Sequence, residues 1–246
     1  MTDSRITPLI IAGSTIDGIT AIIYISISII IGLLLITKFL KYKDKKLLFI
    51  GLNFILLPSS WWSAAFGYLL ALGGIYLENI PYSIILQIPQ TVNIFLWIYI
   101  FSEMQYPDKQ KKIKEICAIY ATSWAIIYLS FVFINVDLLV IIRQGIIDIS
   151  YRLPALIMVA MHLSIFVVTF TIFGREALKS SDQETRLKGK FLFLFLGGFI
   201  FGTLFDSFIP GDFGALPARI VLILASICLY LVFAMPEGLK KRLLKQ

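Results

Sequence analysis

Long apolar stretches separated by short polar segments make up most of the chain. A helix that crosses about 30 Å of hydrocarbon needs roughly 20 mostly apolar residues. Seven stretches reach this length, at about 17–37, 47–72, 82–102, 114–134, 152–173, 191–209 and 217–235. The pattern therefore predicts an all-α integral membrane protein in which residues 1–246 form a single domain, a bundle of seven transmembrane helices.

The segments between these stretches differ in character. Charged segments follow the first, third and fifth stretches, at Lys38–Lys46, Asp108–Glu115 and Arg175–Lys190. Short breaks with Pro, Gly or Asn follow the second and sixth. The loop from Asn135 to Tyr151 is mixed, and we expect its apolar part, Leu138–Ile142, to form a short helix at the membrane interface.

The positions of the basic residues predict an orientation. The three charged segments and the tail after Pro236 hold 18 of the 22 Lys and Arg residues. The remaining four are Arg5, Arg143, Arg152 and Arg219. Because positively charged short loops stay in the cytoplasm, we expect the N-terminus outside and the C-terminus inside the plasma membrane of the cell. The leader lacks a basic region, so the first stretch is predicted to be a membrane span, not a cleaved signal peptide.

The composition excludes several classes of protein. The chain has 59% hydrophobic and 15% charged residues, with a mean hydropathy of +0.88. A soluble domain carries about 45–50% apolar and about 25% charged residues. A soluble enzyme, a nucleic-acid-binding domain and a disordered chain are therefore excluded. The two cysteines, Cys117 and Cys228, are too few for a disulfide framework or a structural zinc site.

Catalytic motifs are missing from the sequence. We find no nucleophile elbow, phosphate loop, His-x-x-x-His or carboxylate pair with helical spacing. His162 is the single histidine, and a metal site usually needs three or four ligands. The seventh stretch contains no lysine, so retinal bound through a Schiff base is excluded. We expect no enzymatic activity, no cofactor and no bound metal.

Polar side chains inside the apolar stretches are candidate functional groups, because an unpaired polar group in hydrocarbon is costly. Gln90, Asn93 and Trp97 share one helical face, and Gln87 lies one turn before them. We expect this face to point inward, where the amides either bond helices together or line a small polar cavity. His162 lies near the middle of its stretch, either bonded to a neighbouring helix or in contact with a ligand.

Four charged residues, distant in sequence, lie at the predicted outer ends of the helices. In one interpretation Asp17, Arg152, Asp206 and Arg219 are interface anchors or ion pairs. In the other, Arg152, Asp206 and Arg219 line an outward-open pocket, with His162 and the amides of the third stretch below them. Arginine suits bidentate pairing with a carboxylate from Asp206 or from a ligand. The candidate ligand pocket consists of Gln87, Gln90, Asn93, Arg152, His162, Asp206 and Arg219.

Three segments of the last third carry a resemblance to a known family. They are Lys188–Gly202 (KGKFLFLFLGGFIFG), Ala218–Leu224 (ARIVLIL) and Met235–Leu243 (MPEGLKKRL). These segments resemble the membrane sensor regions of prokaryotic, chiefly archaeal, seven-helix histidine kinases and their stand-alone relatives. In that family the seventh span leads into a cytoplasmic kinase. Here ten residues follow Pro236, so the resemblance implies signalling through a separate cytoplasmic partner.

The sequence thus predicts a receptor-like or sensor protein. We expect it to bind a small ligand or lipid from the outer side and to signal through a cytoplasmic partner. We also expect it to contact the lipid bilayer and to bind no nucleic acid. Pro58 and Pro89, which should kink their helices, and the polar face of the third stretch favour an alternative, a small-solute transporter. A structural or assembly subunit of a membrane complex is a further alternative.

Overall fold

The computed structural model describes residues 15–75, 77–143, 148–209 and 212–244. Seven helices in these ranges are long and apolar enough to cross a membrane, which confirms the predicted number of helices. We number them spans 1 to 7: Thr15–Tyr42, Lys45–Leu72, Asn79–Gln105, Pro107–Leu138, Leu153–Lys179, Gln183–Phe208 and Phe213–Ala234. The leader with Arg5, on which the signal-peptide prediction depends, lies outside the described residues.

Several spans extend beyond the apolar stretches that predicted them. Span 6 begins at Gln183, eight residues before its predicted start at 191. Asp182 precedes the helix, and its carboxylate accepts hydrogen bonds from the backbone N–H groups of Glu184 and Thr185. The hydroxyl and N–H of Thr185 lower the pKa of Asp182. A good N-cap thus starts the helix in its charged segment, ahead of the apolar part.

Span 2 is interrupted near its middle. It consists of the α-helices Lys45–Leu56 and Trp62–Leu72, joined by a 3₁₀ helix at Leu57–Trp61. Pro58 lies in the first turn of that 3₁₀ helix, where its missing N–H removes an α-helical hydrogen bond. Pro89, by contrast, lies within the continuous helix of span 3.

The expected interfacial helix at Leu138–Ile142 is wrong. A 3₁₀ turn ends at Leu138, and strand β1 (Val140–Arg143) then pairs antiparallel with strand β2 (Asp148–Tyr151). In this register Val140 lies opposite Tyr151. The β-branched run Val-Ile-Ile favours a strand, and pairing satisfies its backbone groups. Leu139 and Val140 are buried against the beginning of span 5.

Six of the spans pack in a ring. Span 1 packs between spans 2 and 7, span 6 packs between spans 5 and 7, and span 3 contacts both span 2 and span 5. Span 4 lies outside this ring, packs mainly on span 3, and is the least buried of the seven. Most of the basic residues lie around the turns that join span 1 to span 2, span 3 to span 4 and span 5 to span 6. These turns lie at one end of the bundle, which we call the basic end.

A layer of aromatic side chains from spans 3, 5 and 6 lies inside the ring. This aromatic layer consists of Trp97, Phe166, Phe170, Phe195 and Phe199, all buried. Trp97 stacks on Phe170 with ring centroids 3.9 Å apart and planes 3° from parallel, and Phe170 lies 4.9 Å from Phe195. The indole N–H of Trp97 donates to Thr169 Oγ1 at 2.7 Å. The layer therefore leaves no polar group of Trp97 unpaired.

The outward faces of the spans are apolar and exposed. Ile30, Ile119, Ile126 and Phe133 are 58–68% exposed, and many similar side chains lie around the ring and along span 4. Monomeric soluble proteins rarely expose apolar surface on this scale. The faces suit a hydrocarbon environment.

The C-terminal helix Glu237–Leu243 is tied to the start of span 6. Lys240 Nζ lies 2.5 Å from one carboxylate oxygen of Glu184, and Lys188 Nζ lies 2.7 Å from the other. The hydrogen bond to Glu184 raises the pKa of Lys240. This partly exposed bridge links spans 6 and 7 at the basic end.

Glycines set the closest approaches between neighbouring spans. A Cβ atom added to Gly51 would lie 2.7 Å from the carbonyl oxygen of Gly32, and one added to Gly202 would lie 2.7 Å from Leu222 Cγ. Contacts this short require the neighbouring atoms to shift, and at Gly51 the neighbouring atom belongs to the backbone of span 1. Spans 1 and 2, and spans 6 and 7, therefore pack at distances that only glycine permits.

Replacing Gly51 with valine should force spans 1 and 2 apart and destabilise the fold by about 1–3 kcal/mol, the usual cost of overpacking. Gly197→Val is the matched control, because a Cβ atom at Gly197 meets nothing within 4 Å. Thermal unfolding in detergent, followed by tryptophan fluorescence, checks both variants. Equal unfolding temperatures for the two valine variants would contradict the close approach.

Candidate functional site

A cavity of about 360 Å³ lies inside the ring, on the side of the aromatic layer away from the basic end. Phe166 and Phe199 of the aromatic layer contribute to its lining. Small-molecule sites usually enclose about 300–1,000 Å³, so the cavity has the size of such a site. The polar, tyrosine and tryptophan residues that line the cavity are Asp17, Ser60, Trp61, Tyr82, Gln87, Gln90, Tyr151, His162, Thr203, Asp206, Ser207 and Arg219.

A buried arginine between two carboxylates forms part of the cavity wall. Arg219 of span 7 is 2% exposed, and its Nη2 donates to Asp17 Oδ1 of span 1 at 2.7 Å. Its Nη1 lies 2.6 Å from Asp206 Oδ1 of span 6, an ion pair without hydrogen-bond alignment. We call these three residues the ion cluster. The ion cluster joins three spans at one level.

Trp61 adds span 2 to the ion cluster. Its indole N–H donates to Asp206 Oδ2 at 2.7 Å, and its ring lies 5.1 Å from Arg219 Cζ. Tyr24 meets the same ring edge-on, with centroids 5.3 Å apart. Trp61 is the last residue of the 3₁₀ helix in span 2, so the break at Pro58 positions the indole.

A second polar group lies deeper in the cavity. Gln87 Nε2 lies 3.2 Å from His162 Nδ1, which bonds span 3 to span 5. Ser59 Oγ donates to Gln90 Oε1 at 3.0 Å, which bonds span 2 to span 3. His162 is 2% exposed, and its Nε2 atom has no hydrogen-bond partner among the described residues. Counting residues along the spans at 1.5 Å each places His162 roughly 10 Å deeper than Asp206.

Five of the seven residues of the predicted pocket line this one cavity, and two lie elsewhere. Asn93 is fully buried between spans 2 and 3, where its carbonyl and side-chain oxygens accept bonds from Asn53 Nδ2 at 3.0 and 2.6 Å. Arg152 is exposed and precedes span 5, where its backbone N–H donates to the Leu139 carbonyl. The five that line the cavity are Gln87, Gln90, His162, Asp206 and Arg219. Ligand binding there remains a prediction.

Both interpretations of the polar face of span 3 describe part of the structure. Asn93 only joins helices, whereas Gln87 and Gln90 each bond a neighbouring span and also line the cavity. An amide has two donors and two acceptor lone pairs, so one group can serve both purposes. These two glutamines therefore both join helices and line the cavity, so the two interpretations do not exclude each other here.

Sequence reasoning did not assign Asp17, Trp61, Tyr82 or Tyr151 to the pocket. Asp17 was conspicuous as a charge in the first turn of a helix, but its partner Arg219 lies 202 residues away. Trp61 carried a weak signal in its position three residues after Pro58, because a proline inside a helical stretch can kink or interrupt the helix. Within the described residues, no group of three or more His, Cys, Asp or Glu side chains is placed to hold a metal ion.

Comparison of the sequence with protein-family models and with curated proteins finds no match. The resemblance of residues 188–243 to histidine-kinase sensor regions therefore stays a prediction. The function has to be argued from the cavity itself.

Replacing Arg219 with methionine should destabilise the protein by about 3–5 kcal/mol, because Asp17 and Asp206 would then face each other without a counter-charge. The triple variant Asp17→Asn, Asp206→Asn, Arg219→Met removes all three charges and should recover most of that loss. Thermal unfolding in lipid nanodiscs measures both. A triple variant no more stable than Arg219→Met would show that charge pairing is not the source of the stability.

Proposed function

We propose that this protein is a receptor-like membrane protein that binds a small ligand in the cavity from the outer side and signals through a cytoplasmic partner. One observation carries the proposal: the cavity combines a buried ion cluster with two glutamines and a histidine. Buried polar groups cost stability unless they are satisfied, so a bundle that needed only to pack would not gather them around a space.

The proposal includes an orientation in the plasma membrane. Most basic residues lie at the basic end, and positively charged short loops stay in the cytoplasm. The cavity lies on the other side of the aromatic layer, so it belongs to the half of the bundle nearer the outer surface. A water-soluble ligand would then approach the ion cluster without crossing the membrane.

Single-cysteine labelling tests the orientation. In a background with Cys117 and Cys228 replaced by alanine, a membrane-impermeant maleimide should label Glu78→Cys on intact cells. Ser181→Cys should be labelled only after permeabilisation. Both positions are exposed, and they lie between spans 2 and 3 and between spans 5 and 6. The reverse pattern would overturn the orientation, and labelling of neither position on intact cells would overturn the plasma-membrane location.

A transporter is the second candidate, and the break in span 2 favours it. Interrupted helices beside a binding site are typical of secondary transporters, and the 3₁₀ helix contributes Ser60 and Trp61 to the cavity. Against transport, the buried aromatic layer of spans 3, 5 and 6 lies between the cavity and the basic end. Flux of a bound compound into sealed proteoliposomes would establish transport, and binding without flux would remove it.

A cavity-filling substitution tests ligand binding. Val159 lines the cavity, so Val159→Trp should occupy part of its volume, whereas Val168→Trp on the same helix points to an exposed face. In a thermal-shift screen of water-soluble metabolites, we expect compounds that stabilise the wild type and Val168→Trp but not Val159→Trp. If every stabilising compound acted equally on both variants, the cavity would not be the binding site.

The structural-subunit alternative predicts a different outcome in the same screen. Such a subunit would bind no compound alone and would co-purify with a fixed membrane partner. Co-purification of a stoichiometric partner, together with an empty screen, would replace the receptor proposal.

A further inference from the structure

We infer that a groove at the basic end binds the head group of an anionic phospholipid. The groove lies between the end of span 5, the start of span 6 and the C-terminal helix Glu237–Leu243. The aromatic layer separates it from the cavity, so this inference is independent of the proposed ligand. It is also independent of the orientation, because the groove lies at the basic end whichever way that end faces.

Leucines and cations line this groove together. The lining includes four leucines and two cations, namely Leu178, Leu187, Leu243, Leu244, Arg186 and Lys190. Arg186 and Lys190 are exposed, and Leu178 and Leu243 are 38% and 45% exposed. Positive charge and apolar surface are thus accessible side by side. A phospholipid needs this combination, because its phosphate is joined directly to its acyl chains.

The two cations of the groove have no acidic partner. Among the described residues, no carboxylate lies within ion-pair distance of Arg186 or Lys190, and none lines the groove. The nearby Glu184 is already shared by Lys188 and Lys240. Arg186 and Lys190 are one turn apart on span 6, a spacing at which like charges repel each other. A bound phosphate would offset that repulsion.

The charges favour an anionic head group over a zwitterionic one. A zwitterionic head group carries an ammonium group beside its phosphate, and the described lining offers that group no carboxylate. Lys241 and Arg242, both exposed on the C-terminal helix, add further positive charge next to the groove. Basic pockets of this kind at the ends of membrane helices are typical sites for anionic lipids.

The groove lies at the depth of the lipid head groups. The apolar stretch of span 6 begins at residue 191, directly after Lys190. Arg186 lies roughly 6 Å farther from the hydrocarbon, at 1.5 Å per residue. The head-group layer on each side of a bilayer is roughly 5–8 Å thick. Both cations therefore lie in the layer that contains the lipid phosphates.

The packing of the bundle holds the walls of the groove in place. A Cβ atom added to Gly189 would lie 3.0 Å from the backbone nitrogen of Leu178, so spans 5 and 6 touch beside the groove. The ion pair between Lys240 and Glu184 holds the C-terminal helix against span 6. These contacts define a site with a fixed shape, which distinguishes it from the general attraction of basic loops to anionic membranes.

Nanodiscs of two compositions test the inference: phosphatidylcholine alone, and equal parts of phosphatidylcholine and phosphatidylglycerol. Thermal unfolding of the full-length protein is followed by tryptophan fluorescence at constant ionic strength. We expect phosphatidylglycerol to raise the unfolding temperature by about 2–4 °C, the response of a chain of this size to a ligand at several times its Kd. Glycerophosphoglycerol, the same head group without acyl chains, should cause no shift when added at millimolar concentration to phosphatidylcholine nanodiscs.

Paired variants locate the effect. The double variant Arg186→Gln, Lys190→Gln removes both charges of the groove and should lose most of the shift. Both side chains are exposed, so this variant should unfold at about the wild-type temperature in phosphatidylcholine alone. Lys111→Gln, Lys112→Gln is the matched control and should keep the full shift. It removes two exposed charges at the same end, on span 4, which do not line the groove.

Three results would overturn the inference. One is the absence of a shift with phosphatidylglycerol in the wild type. Another is an equal loss of the shift in both double variants, which would assign the effect to the whole basic end. The third is a shift with glycerophosphoglycerol as large as that with the lipid, which would identify a site for free phosphate esters. None of these results bears on the cavity, which the Val159→Trp screen tests separately.

Discussion

The guanidinium of Arg219 lies in the interior of the helical bundle, and a charge there is stable only when it is paired. Taking a charge out of water costs several kcal/mol, which good geometry with a counter-charge must offset. Arg219 has two counter-charges, Asp17 on span 1 and Asp206 on span 6. Because Trp61 bonds Asp206, span 2 is held at the same level. The position of one arginine thus fixes how four helices meet and where the cavity lies.

Weaker polar contacts, between uncharged side chains, join other spans in the interior. Asn53 bonds Asn93 between spans 2 and 3, and Trp97 bonds Thr169 between spans 3 and 5. Such interhelical bonds contribute about 0.6 kcal/mol each in a membrane protein, so they specify register more than they add stability. His162 and Asn93 are each paired through one group, while His162 Nε2 and Asn93 Nδ2 have no hydrogen-bond partner among the described residues.

Hydropathy was sufficient to predict the seven helices, because length and apolar content decide whether a helix suits a membrane. Periodicity also placed Gln90 and Asn93 on an inward face of span 3, where both are buried. It could not show that Asn93 bonds Asn53 while Gln90 reaches the cavity, since that depends on which side chains of span 2 lie opposite each residue. The hairpin at Val140 was missed because a short apolar run has no period that separates strand from helix. The partners of Arg219 were also out of reach, because they come from helices distant in sequence.

Spans 6 and 7 are joined at both ends, by Asp206–Arg219 beside the cavity and by Glu184–Lys240 at the basic end. The two joints differ in strength. The first is largely buried, whereas the second is partly exposed, and exposed ion pairs contribute about 0–1 kcal/mol. Between them, Gly202 holds the helices in contact at Leu222. The C-terminal helix can therefore separate from Glu184 at a lower free-energy cost than spans 6 and 7 can separate beside the cavity.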